Sequence, residues 1–379
     1  MDFQLSEEQT LIQDMARQFA ATELAPHSAM WDEEKFLDRA VFETAAELGF
    51  MGIYTGEEHG GTALSRLDSA IVFEQLAHGD VSHTAMMTIH NMATWMIDRY
   101  GDADLRAKYV PRLTAGELIA SYCLTEPGAG SDAASLSTKA VRDGKSYVLN
   151  GTKTFISGAG WSDIYLVMAR TSDDGARGVS TFVVEKGTAG LSFGPNEKKM
   201  GWNAQPTAQV IFEDCRIPSE NRVGQEGEGF KFAMSGLDGG RVNIGACSLG
   251  GAQKALDLTL EYTKDRKQFG KSISAFQNTQ FMLADMATEL EASRIMIYRG
   301  ADMIDKKLPN AGAACAMAKR FATDMCSKIA NDALQLHGGY GYLKDYPIEQ
   351  IVRDLRVHQI LEGTNQIMRM IVSRSLLRQ

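Results

Sequence analysis

Apolar residues in the first third of the chain recur at helical spacing. A capping-box pattern, Ser6 followed by Gln9, precedes apolar positions that return every three or four residues, namely Leu11, Ile12, Met15 and Phe19. Glycine loops such as Gly60-Gly61 interrupt this pattern, but no strand-rich stretch occurs before residue 120. We therefore predict an N-terminal helical domain over residues 1–120.

The middle of the chain alternates in the manner of β-strands. Asp143-Gly144 and Asn150-Gly151 lie next to β-prone runs, and such dipeptides are the strongest short-range signals of hairpin turns. Further β-prone runs cover residues 164–168, 180–184 and 210–212. We predict a small antiparallel β domain over residues 121–222.

Long helical patterns return after residue 223. They cover about residues 228–264, 275–306, 311–336 and 347–377, the last with a break at Gly363. In the second pattern we expect one buried face, made by Phe281, Ala284, Ala287, Leu290 and Met296. Helices of this length with short connections predict a C-terminal four-helix bundle over residues 223–379. The predicted fold is mainly α with a central β domain, without the βαβ alternation of a dinucleotide-binding fold.

Composition and charge narrow the functional classes. The chain has 379 residues, of which 44% are hydrophobic and 23% charged, as in ordinary globular proteins. Its net charge of −9 argues against nucleic acid as a partner, and no apolar run approaches the length of a membrane span. The five scattered cysteines indicate free thiols in a reducing compartment. Because the helix start at Ser6 leaves no room for a targeting segment, we expect a cytoplasmic protein; a processed mitochondrial matrix form is the alternative.

One carboxylate lies in an otherwise apolar stretch. Glu362 follows apolar residues in the stretch 360–368, with Gly363 directly after it. Partial desolvation raises the pKa of a carboxylate and makes it basic enough to remove a weakly acidic proton near neutral pH. The alternative is a helix-end glutamate in water. Taken alone, the stretch leaves both interpretations open.

Two stretches at the start of the β domain have the composition of a ligand site. Residues 122–132 combine glycines with the hydroxyls of Thr125 and Ser131, so backbone amides could approach polar or anionic atoms. A surface loop between domains is the alternative. Residues 150–158 would place Phe155 and Ser157 on one side of a strand, which suits a flat heterocycle. A single core phenylalanine is the alternative there.

Three stretches of the helical half carry charge beside glycine. Residues 238–241 (Asp-Gly-Gly-Arg) combine ion-pair spacing with glycines that allow close packing. Residues 265–271, followed by 276–277, are typical of a phosphate clamp or of an ordinary basic helix end. Residues 335–342 place His337 beside glycines, where a structural histidine is the alternative.

Metal and nucleotide-loop motifs are not predicted. His78, His83 and His90 are not joined by carboxylates at ligand spacing, so we predict no metal site. Residues 224–229 imitate part of a dinucleotide loop but lack the flanking strand and helix that the motif requires.

Taken in order, these stretches resemble the acyl-CoA dehydrogenases, flavin enzymes that desaturate acyl-CoA thioesters between Cα and Cβ. The resemblance covers residues 5–377, with a narrower likeness to members that use isobutyryl-CoA in residues 200–207, 238–244 and 337–346. It implies the three domains above, a homotetramer with FAD at subunit interfaces, an acyl-CoA substrate and an electron-transfer flavoprotein as the electron acceptor.

The resemblance also implies positions for FAD. Residues that match flavin contacts of the family are Tyr122, Leu124, Thr125, Ser131, Phe155, Ile156, Ser157, Thr364, Asn365 and Gln366. Residues that match contacts to the diphosphate and adenosine part, or contacts across a subunit interface, are Arg266, Phe269, Phe276, Gln277, Gln335, Gly338 and Gly339.

The mechanism of the family assigns the remaining residues. Glu362 matches the base that removes the α-proton while flavin N5 accepts the β-hydrogen as hydride. The Glu362 amide and a ribityl hydroxyl would stabilise the enolate. The positions that match acyl-CoA contacts are Ser131, Asp238, Gly239, Gly240, Arg241 and Arg374. The implied reaction converts isobutyryl-CoA to methacrylyl-CoA in valine breakdown. The alternatives are another short or 2-methyl-branched acyl-CoA, an acyl-CoA oxidase, or a flavin-binding relative without catalysis.

Two positions depart from patterns found in the family. Some members carry the base at the position of Gly240, which has no side chain, so Glu362 has no rival there. Many members have tryptophan where this chain has Phe155. An aromatic ring remains for packing against the flavin, and the change bears on electron exit.

Overall fold

The computed structural model describes residues 4–377, and its N-terminal part is helical. The helices are α1 (Glu7–Phe19), α2 (Ser28–Glu34), α3 (Arg39–Glu47), α4 (Arg66–Gly79), α5 (Val81–Tyr100) and α6 (Ala103–Thr114). The capping box at the start of α1 is confirmed, because Ser6 and Gln9 exchange two hydrogen bonds of 3.1 Å.

The predicted apolar face of α1 is only partly correct. Phe19 is buried, whereas Leu11 is 70% and Met15 38% exposed. The predicted Ile12 is partly buried and packs with the buried Ala16, at the i, i+4 spacing that brings residues to one side of a helix. Leu11 and Met15 lie one residue around the helix from that side and therefore face outward.

The central part is an eight-stranded sheet. Its strands are β1 (Ala120–Cys123), β2 (Lys139–Asp143), β3 (Ser146–Ser157), β4 (Ile164–Arg170), β5 (Val179–Glu185), β6 (Leu191–Phe193), β7 (Thr207–Pro218) and β8 (Arg222–Val223). The order is β6-β7-β3-β2-β4-β5-β8, with β1 beside β4. The pairings are antiparallel, except that β1 and one residue of β2 pair with β4 in parallel.

The two predicted turns of the sheet have different outcomes. The Asp143-Gly144 hairpin is confirmed, since Asp143 pairs with Ser146 across a tight turn. The turn at Asn150-Gly151 is wrong, because both residues lie inside β3 at a register shift. The Asn150 side chain bonds Asp214 on β7, and a Cβ at position 151 would lie 2.6 Å from the Thr138 hydroxyl. The glycine therefore serves a bulge and a close approach.

Long helices form the C-terminal part. They are α7 (Gly229–Asp265), then a hairpin of β9 (Lys267–Gln268) and β10 (Lys271–Ser272), α8 (Gln277–Asp305), α9 (Ala311–His337), α10 (Ile348–Arg356) and α11 (Asn365–Leu377). The predicted break at Gly363 is wider than expected, because residues 357–364 form a short 3₁₀ turn and a loop. The boundaries predicted at residues 120 and 222 stay a prediction.

The predicted buried face of α8 is wrong over its first turns. Phe281 is 58% exposed, and Ala284 and Ala287 are also exposed. The buried residues Met286, Leu290 and Ile297 follow helical spacing one residue further around the helix. An apolar pattern that repeats on two sides does not tell which side packs inside.

Helix α7 connects the three parts of the molecule and positions the site. It packs against α4, α5, α8, α9 and the strand β5. The loop 360–364 reaches the same helix at Gly240. All five cysteines are buried and free. In the part of the chain that the structure describes, no helix is long and apolar enough to cross a membrane.

Candidate active site

One oxygen of the Glu362 carboxylate is buried and has no hydrogen-bond partner in the described residues. Glu362 has a φ of 55° and Gly363 a φ of 86°, so two consecutive left-handed residues turn the chain just before α11. Within residues 4–377, Glu362 Oε2 is buried and accepts no hydrogen bond. Burial raises the pKa of Glu362 to about 7, although the nearby charges of Arg241 and Lys319 oppose the rise. The burial of Oε2 argues against a fully solvated helix-end glutamate.

Gly240 lets this carboxylate lie directly on α7. A Cβ at position 240 would be 2.6 Å from Glu362 Oε2 and 3.0 Å from its Cδ. Any other residue would force the carboxylate to move. Arg241 also forms the predicted ion pair with Asp238. Residues 238–241 therefore show both the close packing at glycine and the ion pair that their sequence indicates.

Two cations hold the backbone around Glu362. Arg241 Nε donates to the Glu362 carbonyl at 3.4 Å. The Lys319 ammonium is fully buried and donates to the Gly363 carbonyl at 2.8 Å and to Asn365 Oδ1 at 3.0 Å. Burial lowers the pKa of Lys319 to about 8, against the opposing charge of Glu362. The loop is fixed from both sides while the carboxylate itself stays unpaired.

The residues after Glu362 complete this support. Thr364 Oγ1 accepts from the Ile367 N–H at the start of α11. The Asn365 amide group donates to Asp324 at 2.7 Å and to Thr323 at 2.9 Å. The Asn365 side chain is therefore engaged inside the protein, and the predicted cofactor contact at this position stays a prediction. Gln366 is exposed.

A buried ion pair anchors the loop 122–132. Lys153 Nζ, from β3, donates to Glu126 at 2.7 Å and to the Leu124 carbonyl at 3.1 Å. The Glu126 carboxylate also accepts from the backbone N–H groups of Ser137 and Thr138. Burial alone would raise the pKa of Glu126, but the Lys153 charge and these hydrogen bonds lower it to about 2.

The end of β3 presents an aromatic ring beside that loop. A register shift between Lys153 and Ile156 breaks the alternation, so Phe155, with a φ of 56°, is 66% exposed while Ile156 is buried. The Ser157 hydroxyl accepts from Gln205 at 2.6 Å. Tyr122 belongs to the loop 122–132 and lies within electrostatic reach of Glu362, because burial and the Glu362 charge both raise its pKa well above the usual range.

Four of the remaining cofactor residues line a separate cleft. Arg266, Gln335, Gly338 and Gly339 surround a volume of about 480 Å³. The Arg266 guanidinium lies 5.3 Å from the ring of Tyr340. No hydrogen bond in residues 4–377 joins this cleft to the Glu362 loop. The prediction that such residues serve a neighbouring subunit stays a prediction.

Other predicted site residues lie at the surface. Phe269, at the tip of the β9–β10 hairpin, is 93% exposed, and its ring centroid is 6.1 Å from that of Phe276. Further exposed members of the predicted set are Ser131, Gln277, Gln366 and Arg374. The structure alone does not bring these residues into the Glu362 site.

Comparison with known families decides the class of protein. Family models of the acyl-CoA dehydrogenases match three segments: the N-terminal domain at residues 6–117, the middle domain at 121–215 and the C-terminal domain at 227–377. The chain belongs to the acyl-CoA dehydrogenase family.

Individual relatives cover the whole chain. It is 56% identical over 373 residues to the mitochondrial isobutyryl-CoA dehydrogenase of Dictyostelium discoideum, covering 98% of this chain and 90% of that protein. It is 36% identical to the butyryl-CoA dehydrogenase structure from Megasphaera elsdenii, with a TM-score of 0.97 and full coverage of both chains. A FAD complex of PigA matches with a TM-score of 0.96 at 33% identity, again over both full chains.

An acyl-CoA dehydrogenase takes FAD, and the residues present fit this cofactor. A Cβ at Gly128, Gly130, Gly338 or Gly339 would meet no atom within 4 Å, so these backbones are open to a ligand. Phe155 offers an exposed ring for a flat heterocycle, and Arg266 offers a guanidinium for a diphosphate. Phe155 combines this exposure with a positive φ, and strained backbone positions of this kind cluster at ligand sites.

Sequence reasoning missed the charged residues that support the site. Lys319 lies in the buried stripe of α9 together with Cys315, Ala322 and Cys326. A lysine that falls among the regularly spaced core residues of an alanine-rich helix could have indicated this buried cation from the sequence. The Glu126–Lys153 pair offered no such signal, because its members are 27 positions apart.

Proposed function

We propose that this acyl-CoA dehydrogenase oxidises isobutyryl-CoA to methacrylyl-CoA in valine breakdown, with Glu362 as the catalytic base. The observation that carries the base is the unpaired, buried Glu362 carboxylate with a pKa near 7, lying against Gly240. The substrate is supported by 56% identity to a protein named isobutyryl-CoA dehydrogenase.

The proposed role of Glu362 is to take the α-proton of the thioester. Its deprotonated form is the reactive one, and a pKa near the working pH combines that form with sufficient basicity. The chemistry that bound FAD supplies is acceptance of the hydride from Cβ. The Glu362 N–H has no acceptor within residues 4–377, so it is available to the thioester carbonyl, where negative charge develops.

Burial around Glu362 supports this role. Tyr54 and Tyr122 are both within electrostatic reach of the carboxylate, and their hydroxyls stay protonated because burial raises their pKa values. The two phenols therefore do not place a second base beside Glu362. Arg241 and Lys319 hold the loop through its carbonyl groups and keep the carboxylate free.

A substrate panel tests the acyl group. Isobutyryl-, butyryl- and 2-methylbutyryl-CoA are compared by kcat/KM with an artificial electron acceptor. We expect isobutyryl-CoA to be the best of the three. Faster turnover of butyryl-CoA would replace the proposal with a straight-chain substrate.

Glu362→Gln tests the base. We expect kcat to fall by roughly 10³-fold while the flavin absorbance is retained, because general base catalysis typically contributes 10²–10⁴-fold. Glu261→Gln, an exposed glutamate on α7, is the matched control and should leave kcat unchanged. Normal anaerobic bleaching of Glu362→Gln by substrate would refute the base assignment.

We further propose an electron-transfer flavoprotein as the electron acceptor. Hydrogen peroxide formed at the turnover rate without any acceptor protein would instead make the protein an oxidase. Measuring peroxide in Phe155→Trp beside the wild type shows whether this position controls the exit of electrons.

A homotetramer and a cytoplasmic location complete the proposal. The exposed rings of Phe269, Tyr342 and Phe281 support association, because large apolar side chains at a surface favour interfaces. Light scattering of the holoenzyme tests it, and a monomeric mass would contradict it. The five free cysteines support a reducing compartment, and fractionation of cells would separate the cytoplasm from the mitochondrial matrix.

A further inference from the structure

Three glycines of helix α7 contact three different elements. A Cβ at Gly236 would lie 2.8 Å from Met96 Sδ of α5, and one at Gly240 would lie 2.6 Å from Glu362 Oε2. Between them, a Cβ at Gly239 would lie 2.5 Å from Arg66 Nη1 at the start of α4. The Arg66 guanidinium and the Glu362 carboxylate therefore contact consecutive residues of one helix.

Arg66 is a buried cation without a carboxylate bond from its side chain. It is only 6% exposed, and Nη1 is buried with no hydrogen-bond partner within residues 4–377. Its Cζ lies 3.5 Å from the ring centroid of Tyr54 and 4.7 Å from that of Trp95. Asp305 accepts from the backbone N–H of Arg66 at 2.8 Å, and no hydrogen bond joins it to the guanidinium. A desolvated donor left unpaired is costly, so a ligand is the natural partner.

Tyr54 places this cation on the same side of α7 as the base. Its hydroxyl accepts from Asn243 Nδ2 at 3.1 Å, about one helical turn after Gly239 and Gly240. Burial raises the pKa of Tyr54, the Arg66 charge lowers it and the Glu362 charge raises it, so the phenol is within reach of both. Asn243 Oδ1 is a further buried polar atom without a partner in the described residues.

We propose that Arg66 is a specificity-determining residue that closes the acyl end of the site and restricts it to short acyl groups. This inference rests on the proposed role of Glu362. A reacting carbon must lie about 3–3.5 Å from the base. The ring of Tyr54 lies against the Arg66 guanidinium, and Tyr54 is also within electrostatic reach of Glu362. An acyl chain that extends from Glu362 past Tyr54 would therefore approach the guanidinium. A longer chain would press methylene groups against an unpaired N–H.

The same geometry predicts a preference for oxygen at the chain end. A chain-end hydroxyl can accept from Arg66 Nη1, whereas a methyl group of the same size leaves this donor unpaired. An apolar pocket would prefer the methyl group. The two possibilities predict opposite preferences between a terminal hydroxyl and a terminal methyl group. Wild-type holoenzyme therefore decides between them without any substitution.

The first experiment compares valeryl-CoA with 4-hydroxybutyryl-CoA, which replaces the terminal methyl group by a hydroxyl. We expect the hydroxyl compound to have the higher kcat/KM by about fivefold or more in wild-type holoenzyme. A preference for valeryl-CoA would overturn the proposal. This pair does not use isobutyryl-CoA, so it is independent of the substrate panel above.

The second experiment substitutes Arg66 in the holoenzyme and uses the straight-chain series from butyryl- to octanoyl-CoA. Arg66→Met should lower the ratio of butyryl to octanoyl kcat/KM by about tenfold, the order that apolar contacts contribute to discrimination. Arg66→Lys keeps the charge and should stay within about threefold of wild type. An unchanged ratio in Arg66→Met that still holds flavin overturns the proposal. If that variant does not fold, the wild-type pair alone decides.

Discussion

Glu126 and Glu362 are two glutamates withdrawn from water at the candidate site, and their environments differ in one respect. Glu126 accepts directly from Lys153 and from two backbone N–H groups. Glu362 also has two cations nearby, but Arg241 and Lys319 donate to the carbonyl oxygens of residues 362 and 363. The pKa is about 2 for Glu126 and about 7 for Glu362.

The difference shows that burial alone does not make a carboxylate reactive. Burial acts to raise the pKa of both carboxylates. The net pKa is raised only in Glu362, where the charged form receives no direct hydrogen bond. Glu126 is thereby a fixed anion that anchors the loop 122–132. Glu362 remains a carboxylate that can exchange a proton near neutral pH.

The two groups also contribute to stability with opposite pH dependence. The folded-state pKa of Glu126 is below the ordinary glutamate value of 4.5, so its contribution is present above that pH and is lost as pH falls towards 2. The folded-state pKa of Glu362 is above 4.5, so the folded state loses stability as pH rises from there through about 7. The group that we propose as the base therefore destabilises the fold near neutral pH.

The largest expected effect comes from breaking the Glu126 pair. Lys153→Met leaves a buried carboxylate without its cation and should lower the free energy of unfolding by about 3–5 kcal/mol, with loss of flavin. Denaturant unfolding and flavin absorbance measure both effects. Lys108→Met is the control, since its pair with Glu185 is half-exposed and should contribute less than about 1 kcal/mol. Equal losses in the two variants would contradict the anchoring role.

A smaller effect is expected where Glu362 lies on α7. Gly240→Ala places a Cβ 2.6 Å from Glu362 Oε2 and should lower kcat by about 10²-fold by displacing the base, with flavin retained. Gly300→Ala is the matched control in α8, because a Cβ there meets atoms only at ordinary distances of 3.6 Å and more. It should keep full activity and gain helix stability. Full activity in Gly240→Ala would mean that the carboxylate acts from another position.

The smallest expected effect tests the difference in pKa between Glu362 and Glu126. Activity of the wild type should rise with pH through about 7 as Glu362 loses its proton. Lys319→Met removes a positive charge that lowers this pKa, so the midpoint of the kcat/KM profile should move upward by about one pH unit. Lys306→Met, at an exposed ion pair, should not move it. A downward shift or none would show that Lys319 acts only through loop structure.

The sequence predicted the local elements well where their signals were local. The capping box at Ser6, the hairpin at Asp143-Gly144 and the long C-terminal helices depend on residues a few positions apart. The predictions for the faces of α1 and α8 were wrong in part, because apolar residues occur on two sides of both helices. Which side is buried depends on the packing of the neighbouring helix. The spacing of apolar residues within one helix carries no information about that packing.

By itself the sequence determined the helix–sheet–helix order, the family resemblance and the selection of Glu362 as a candidate base, because these follow from local pattern and motif order. Only the tertiary structure decided the state of that carboxylate. Lys319 reaches Gly363 across 44 positions, and Lys153 reaches Glu126 across 27. Arg66 meets Gly239 through the packing of α4 on α7. Charge, burial and hydrogen bonding act through space over a few ångströms, so the pKa of Glu362 depends on neighbours that the chain brings together only by folding.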